Sequence, residues 1–255
     1  MKENVKRILA YVLAIFVITM IISFIISFTA FVIRLYNMNL KTENINLKTE
    51  EIFEEKNSNI KKIHLDCENA NIHILKGDTF NIKSTNKKYD VKVEDGELKI
   101  LEKGKMKLEI FAGVKINSKE KIEIYIPENR HFEKVYISAG VSKILVDNIN
   151  ADNLEIDAGV GNIDLKNGNI NNFKLTCGVG NVLVRAKFNE SAKIEGGVGK
   201  LNLEILNKKE DINMKIERGL GQIYYNGETL KEDVFGDGKV NFEIEGGLGQ
   251  IDIKN

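Results

Sequence analysis

The chain has no tryptophan, one proline, two cysteines and three histidines in 255 residues, and its 37 Lys and Arg balance its 37 Asp and Glu. Each shortage excludes something. Two cysteines cannot build the disulfide framework of a small secreted scaffold, and three histidines add few ligands for a metal site. Zero net charge leaves no basic excess to neutralise phosphates, so nucleic acid is not an expected partner. Aromatics are only 7% of the chain, and no pair of carboxylates stands apart as the acid and base of a glycan-cleaving enzyme. A polysaccharide-active β-helix enzyme is therefore the lesser alternative, and no catalytic residue, cofactor or metal is assigned. What the composition favours is strand, because proline is nearly absent and isoleucine is abundant.

From Ile8 to Ile33 no side chain is charged, and Arg7 and Arg34 bound the run. At about 1.5 Å per residue such a helix exceeds the roughly 30 Å of membrane hydrocarbon, whereas a signal peptide has an apolar region of only about 7–15 residues. The reading is a single-pass transmembrane helix within residues 1–35. Lys2, Lys6 and Arg7 cluster before it, which places the N-terminus in the cytoplasm and the rest of the chain outside it. Thr19, Ser23 and Ser27 recur every four residues and are read as bonding back to their own helix. Residues 36–60 form a polar linker. Its LKTENI and LKTEEI echo from Leu40 and Leu47 is too short for a coiled coil but allows one juxtamembrane helical stretch.

Residues 61–255 carry an internal repeat. AGVGNIDL from Ala158, CGVGNVLV from Cys177, GGVGKLNL from Gly196, RGLGQIYY from Arg218 and GGLGQIDI from Gly246 follow a degenerate copy, AGVSKILV from Ala139. Their central residues Val141, Val160, Val179, Val198, Leu220 and Leu248 are spaced by 19, 19, 19, 22 and 28. A fixed period with two insertions is the mark of a solenoid. Leu154, Ile156 and Ala158 alternate with Glu155 and Asp157 before the glycines, and Ile163 and Leu165 flank Asp164 after them. Period-two alternation means strands with one buried face. The expected fold is therefore all-β, a parallel β-solenoid of about 19 residues per coil. Gly159, Gly161, Gly178, Gly180, Gly197, Gly199, Gly219, Gly221, Gly247 and Gly249 form its turns, and the apolar residue between each pair is expected to point inward. Residues 61 to 127 alternate more loosely and read as irregular coils or a small sheet covering the first regular coil. At the other end the strand finishing at Ile253 is expected to leave the final ladder edge uncovered, open to another chain.

The run KIEIYIPENRHFEKVYISAGVSKILV, followed by AGVGNIDL-like units behind one membrane helix, resembles the putative-adhesin family of domains of unknown function, LiaG-like proteins included. The resemblance implies a β-solenoid at the bacterial cell envelope, sometimes linked to envelope-stress signalling, and transfers no catalytic residue. It implies a non-catalytic binding or structural module in the cell membrane. Its partner would be an envelope or membrane protein or a cell-wall polymer, with self-association open.

Other motifs lose their functional reading in context. Gly159-Val160-Gly161 is no phosphate loop, because it recurs five times and each copy precedes a strand rather than a helix. The copies lack the carboxylate of a calcium-binding nonapeptide, having Ile163, Val182, Leu201, Ile223 and Ile251 there. Stacking aligns Asp157, Thr176, Glu195, Glu217 and Glu245 in one column and Glu155, Lys174, Lys193, Lys215 and Glu243 in the next, which reads as an ion-paired solvent face. Cys67 and Cys177 fall at apolar positions several coils apart and are expected as buried free thiols. The excess residues Asn207–Asp211 and Asn226–Gly238 emerge on one side of neighbouring coils. The larger loop, with Tyr224 and Tyr225 at its base and Leu230, Val234 and Phe235 within it, has two readings: a partner-contact surface, or a flap that folds back over the last coil.

Overall fold

The computed structural model describes residues 11, 13, 15–23, 26, 27, 30, 48–55, 59–86, 88–103, 120–231 and 233–255. The chain divides into two units, Met1–Asn44 and Ile45–Asn255. In the first unit, residues 15–23 are helical and exposed. Among the described residues no helix is long and apolar enough to cross a membrane. The expected span from Ile8 to Ile33 lies partly outside the described residues, as do residues 36–47 of the expected linker.

Among its described residues the second unit consists of strands and the turns that join them, with one 3-10 turn at Lys209–Asp211, and the described strands join in one 13-stranded sheet. At its N-terminal end, β1 (Glu50–Glu55), β3 (Phe80–Ser84) and β6 (Lys121–Pro127) pair antiparallel in that order, and β4 (Tyr89–Glu94) pairs antiparallel with β5 (Glu97–Glu102). β5 and β6 lie parallel to successive halves of β2 (Lys62–Gly77), so this small sheet covers the first coil as the alternation indicates. Strand β1 occupies part of the segment read as linker. Its Ile52 and Phe53 pack on the core, while Glu50, Glu51 and Glu54 are exposed. Charges of this kind on an edge strand oppose further pairing.

Beyond β2 the ladder is parallel. Strand β7 (His131–Asp147) pairs with the first part of β8 (Asn150–Ile205), and Leu154 sits opposite Val135, nineteen residues earlier. Within β8, Lys174 bonds Glu155 and Arg185 bonds Glu204, again nineteen apart. Alternate residues point inward, giving buried columns such as Ile63, Val135, Leu154, Phe173, Ala192 and Leu65, Ile137, Ile156, Leu175, Ile194. Phe173, Phe188 and Phe242 continue the aromatic core, with ring centroids 5.5 and 5.4 Å apart along the series.

Two expectations are corrected. The residue between each glycine pair does not point inward: Val141, Val160, Val179 and Val198 are half-buried, Leu248 is 49% exposed and Leu220 78% exposed. The inward positions at the corner are its neighbours, Ala158 and Ile163, both buried. They are five positions apart, an odd number, so the alternation changes phase at the corner and carries the central residue outside. The second correction concerns the end. Strand β13 (Val240–Lys254) pairs on one side with the last coil of β8, Gly246 opposite Gly196, and on the other with β9 (Ile212–Glu217) and β10 (Leu220–Tyr225). The C-terminal strand is thus interior, and residues 212–225 form the outermost coil.

Side-chain size explains the order. The register makes a column of small corner residues, Cys67, Ala139, Ala158, Cys177, Gly196 and Gly246, with Arg218 last. An arginine there in an interior coil would be buried without a counter-charge. In the outermost coil Arg218 instead pairs with Asp233 and donates to the Leu230 carbonyl at 2.8 Å. Where the column loses its side chains at Gly196 and Gly246, a cavity of about 40 Å³ remains, lined by Cys177, Leu201, Ile223 and Ile251 among others.

The glycines after the central residue are held by a close backbone approach. Gly161, Gly180, Gly199 and Gly249 have φ of 157, 151, 145 and 150°, a region that residues with a Cβ rarely enter. A Cβ on them would lie 1.7, 1.6, 1.8 and 1.7 Å from the carbonyl oxygen one coil below. Gly196 differs, because a Cβ there meets nothing nearer than 3.8 Å. In chemical denaturation, Gly180→Ala is expected to lose on the order of 3 kcal/mol or more. Gly196→Ala is expected to gain about 0.5–1 kcal/mol by limiting the unfolded chain and filling space beside the cavity. Equal effects of the two substitutions would contradict the register.

Candidate binding surface

The outermost coil and its loop form the surface farthest along the ladder from β1. After Tyr225 the chain reverses at Asn226-Gly227, where φ is 50 and 86°, as a tight hairpin turn requires. Strand β11 (Glu228–Thr229) then pairs antiparallel with Tyr225 and Tyr224, and the Leu230 amide donates to the Ile223 carbonyl at 2.8 Å. Strand β12 (Val234–Phe235) pairs antiparallel with Lys215 and Met214 of β9, and the Ile216 amide donates to the Asp233 carbonyl at 2.8 Å. The loop therefore satisfies part of the edge it crosses.

Its side chains divide between two tasks. Leu230, Tyr225 and Phe235 pack against the core, with the Tyr225 and Phe235 rings 4.8 Å apart and the Lys209 ammonium 5.4 Å from the Phe235 ring. Burial pushes the Tyr225 phenol upward. Val234 is 61% exposed, and Tyr224 is half-buried with its hydroxyl on the Gln222 amide oxygen. Of the five residues singled out in the sequence, three cover the coil and two face outward. Asn255 anchors the base, its side-chain amide donating to the Asn207 and Ile205 carbonyls at 2.5 and 3.3 Å. Sequence reasoning missed Arg218, Asp233 and Asn255. Only Arg218 carried a signal, as the one large residue in a column of Ala, Cys and Gly.

The charged columns are ion-paired along the ladder. Lys193 reaches Glu195 and Glu245 at 3.1 Å and Glu243 at 3.8 Å, Lys215 reaches Glu217 at 2.8 Å, and Lys174 reaches Glu155 at 3.0 Å. Hydrogen bonds to Glu195 and Glu245 hold the Lys193 ammonium above its ordinary range. Lys174, Lys215 and Glu217 are exposed and the other groups half-buried, so solvent screens these pairs. His131, also exposed, contacts Asp152 at 3.0 Å and Asn150 at 3.2 Å, and its pKa is raised, chiefly by the bond to Asp152. Burial lowers His73. His64 packs edge-on to Tyr136 on the first half of β2, and His73 lies beyond the corner.

Both cysteines are free and buried. They stand in one column with Ala139 and Ala158 between them, three ladder steps or roughly 14 Å apart. Burial pushes Cys177 up to about 11 and, with help from Glu102, Cys67 up to about 12, so neither is a ready thiolate. Among the described residues no group of three or more His, Cys, Asp or Glu could hold a metal ion.

Residues 60–246 match Toastrack DUF4097, and the chain belongs to that family. Among solved structures it is similar to a putative cell adhesion protein from Clostridium sporogenes, at 17% identity and a TM-score of 0.45, covering 81% of this chain and 99% of that one. It is also similar to a putative adhesin from Bacteroides fragilis, at 16% identity and a TM-score of 0.40, covering 81% and 98%. No curated protein matches the chain.

Two outcomes follow from the charges. Lys193→Met leaves three carboxylates without their shared cation, so its thermal midpoint is expected below wild type in low salt and to approach it as salt is raised; a salt-independent difference would remove the ionic explanation. His131 has a raised folded-state pKa, so its stabilisation is present below the unfolded value near 6.5 and fades as pH rises through the folded one. The stability gap between wild type and His131→Ala should be widest near pH 5.5 and closed by pH 8, and a gap that widens with pH would reverse the assignment.

Proposed function

We propose that the chain is a membrane-anchored, non-catalytic binding module of the bacterial cell envelope. In this reading it is a β-solenoid of about 19-residue coils standing on a single N-terminal membrane helix. The uncharged run from Ile8 to Ile33 supports the anchor, and the exposed helical residues within it, among them Ile15, Phe16 and Ile21, agree with a lipid-facing surface. Lys2, Lys6 and Arg7 support a cytoplasmic N-terminus.

One observation carries the binding role: the chain enters the ladder at β1 and the 226–239 loop closes the opposite end. An anchored ladder thereby presents its outermost coil away from the point of entry. Val234 and Leu220 stand exposed there on a hydrogen-bonded frame, and exposed apolar groups on such a frame suit contact with another macromolecule. The partner in this reading is an envelope or membrane protein or a cell-wall polymer, and the contact relays envelope state to the membrane.

The test has two parts. Protease added to intact cells should remove the C-terminal unit; complete protection would overturn the orientation. Chemical cross-linking in those cells should trap a partner with wild type and lose it with Val234→Glu, whose exposed position leaves folding intact. Undiminished trapping by Val234→Glu would move the contact off this end.

A further inference from the structure

Six central corner residues lie in register along the outside of the ladder, in the order Val141, Val160, Val179, Val198, Leu248, Leu220. Exposure grows toward the outermost coil, from half-buried valines to Leu248 at 49% and Leu220 at 78%. Beside this aliphatic ridge runs a channel of bare backbone, Gly140, Gly159, Gly178, Gly197, Gly247 and Gly219. On its other side the column is Ser142 followed by Gly161, Gly180, Gly199, Gly249 and Gly221. None of the three columns carries a charged side chain across these six coils.

We propose that this ridge is a self-association surface whose occupant is a second copy of this chain, the two ladders lying side by side and pointing the same way. Three observations select a second copy. Ridge and channel are adjacent and share one period, so a two-fold axis along the stack seats each ridge in the other's channel. Only another ladder with the same spacing of about 4.8 Å keeps a methyl group over bare backbone through successive coils. The flanking charges agree. That rotation carries the acidic column, with Glu195, Glu245 and Glu217, across to the column of Lys143, Asn162, Asn181, Lys200, Gln250 and Gln222. Glu195 and Lys200 belong to the same coil and meet at the same level. Reversing one ladder would instead set the acidic column against its own copy, which like charges oppose.

The strip is about 25 Å long over five ladder steps and falls short of the roughly 800 Å² per partner of a standard interface. Anchoring both copies in one membrane raises their effective concentration and strengthens so narrow a contact. Only this last point rests on the anchored reading above.

Cysteine cross-linking in the full chain tests the proposal. With Val160→Cys, two copies facing each other at the same level bring the new thiols within the roughly 7 Å that a disulfide spans between Cα atoms. Mild oxidation of membranes containing Val160→Cys should yield a covalent dimer. Thr176→Cys, on the ionic face, should stay monomeric, as should wild type with its buried thiols. Adding Leu220→Asp to Val160→Cys should cut dimer yield at least tenfold while leaving the unfolding midpoint near wild type, since Leu220 is exposed. No dimer from Val160→Cys, or equal yield from Thr176→Cys, overturns the proposal. A dimer formed only when Val160→Cys is mixed with Leu248→Cys overturns the orientation. Cross-linking by a chain recovered outside the membrane fraction would uphold the pairing and reject the anchor, so the two failures are separable.

Discussion

The constraint on which this molecule depends is the approach of backbone to backbone at the corners. At Gly180 the position a Cβ would take is 1.6 Å from the Gly161 carbonyl oxygen, and the same contact repeats at Gly199 and Gly249. No side chain can enter without separating the coils. The corner glycines thereby let the coils keep the hydrogen-bonded strand spacing through each corner, and that even spacing lets the inward columns meet as continuous aliphatic stacks. The column begins where the constraint is looser, at Ser142, whose neighbour one coil below is Ala70.

Register also decides the order of the final coils. Between Glu195 and Gly197 the chain repeats what it has between Glu245 and Gly247, and these two stretches pair directly. The stretch holding Arg218 is forced to the end, where its guanidinium finds Asp233 and a loop carbonyl. The longer segment before β13 follows from that order. It crosses the end of the ladder, leaves two short strands on its edge, and returns the chain to the interior.

Much of the fold was legible. Period-two alternation gave the inward faces correctly at Leu154, Ile156, Ile163 and Leu165, and the repeat gave the register of β7 and β8. The ionic face was legible because Lys193 and Glu195 recur at matching positions. The corner residue was misplaced, because composition shows that Val179 is apolar but not that the alternation changes phase beside Gly178 and Gly180. The strand exchange was missed because chain order was taken for spatial order, although the Ile-Glu-Gly-Gly shared by 194–197 and 244–247 marked the true neighbours. The loop resolved into both of its readings at once, with Phe235 folded back and Val234 exposed. The run KIEIYIPENRHFEKVYISAGVSKILV, which carried the family resemblance in the sequence, lies within the 60–246 stretch that matches Toastrack DUF4097.

Distances between paired spin labels test the ladder order most directly. Labels at Lys193 and Glu243 should report adjacent strands, with backbones about 5 Å apart, and labels at Lys193 and Lys215 should report a separation about twice that. The reverse ranking, with 193 and 215 the nearer pair, would show that the coils stack in chain order and would contradict the account.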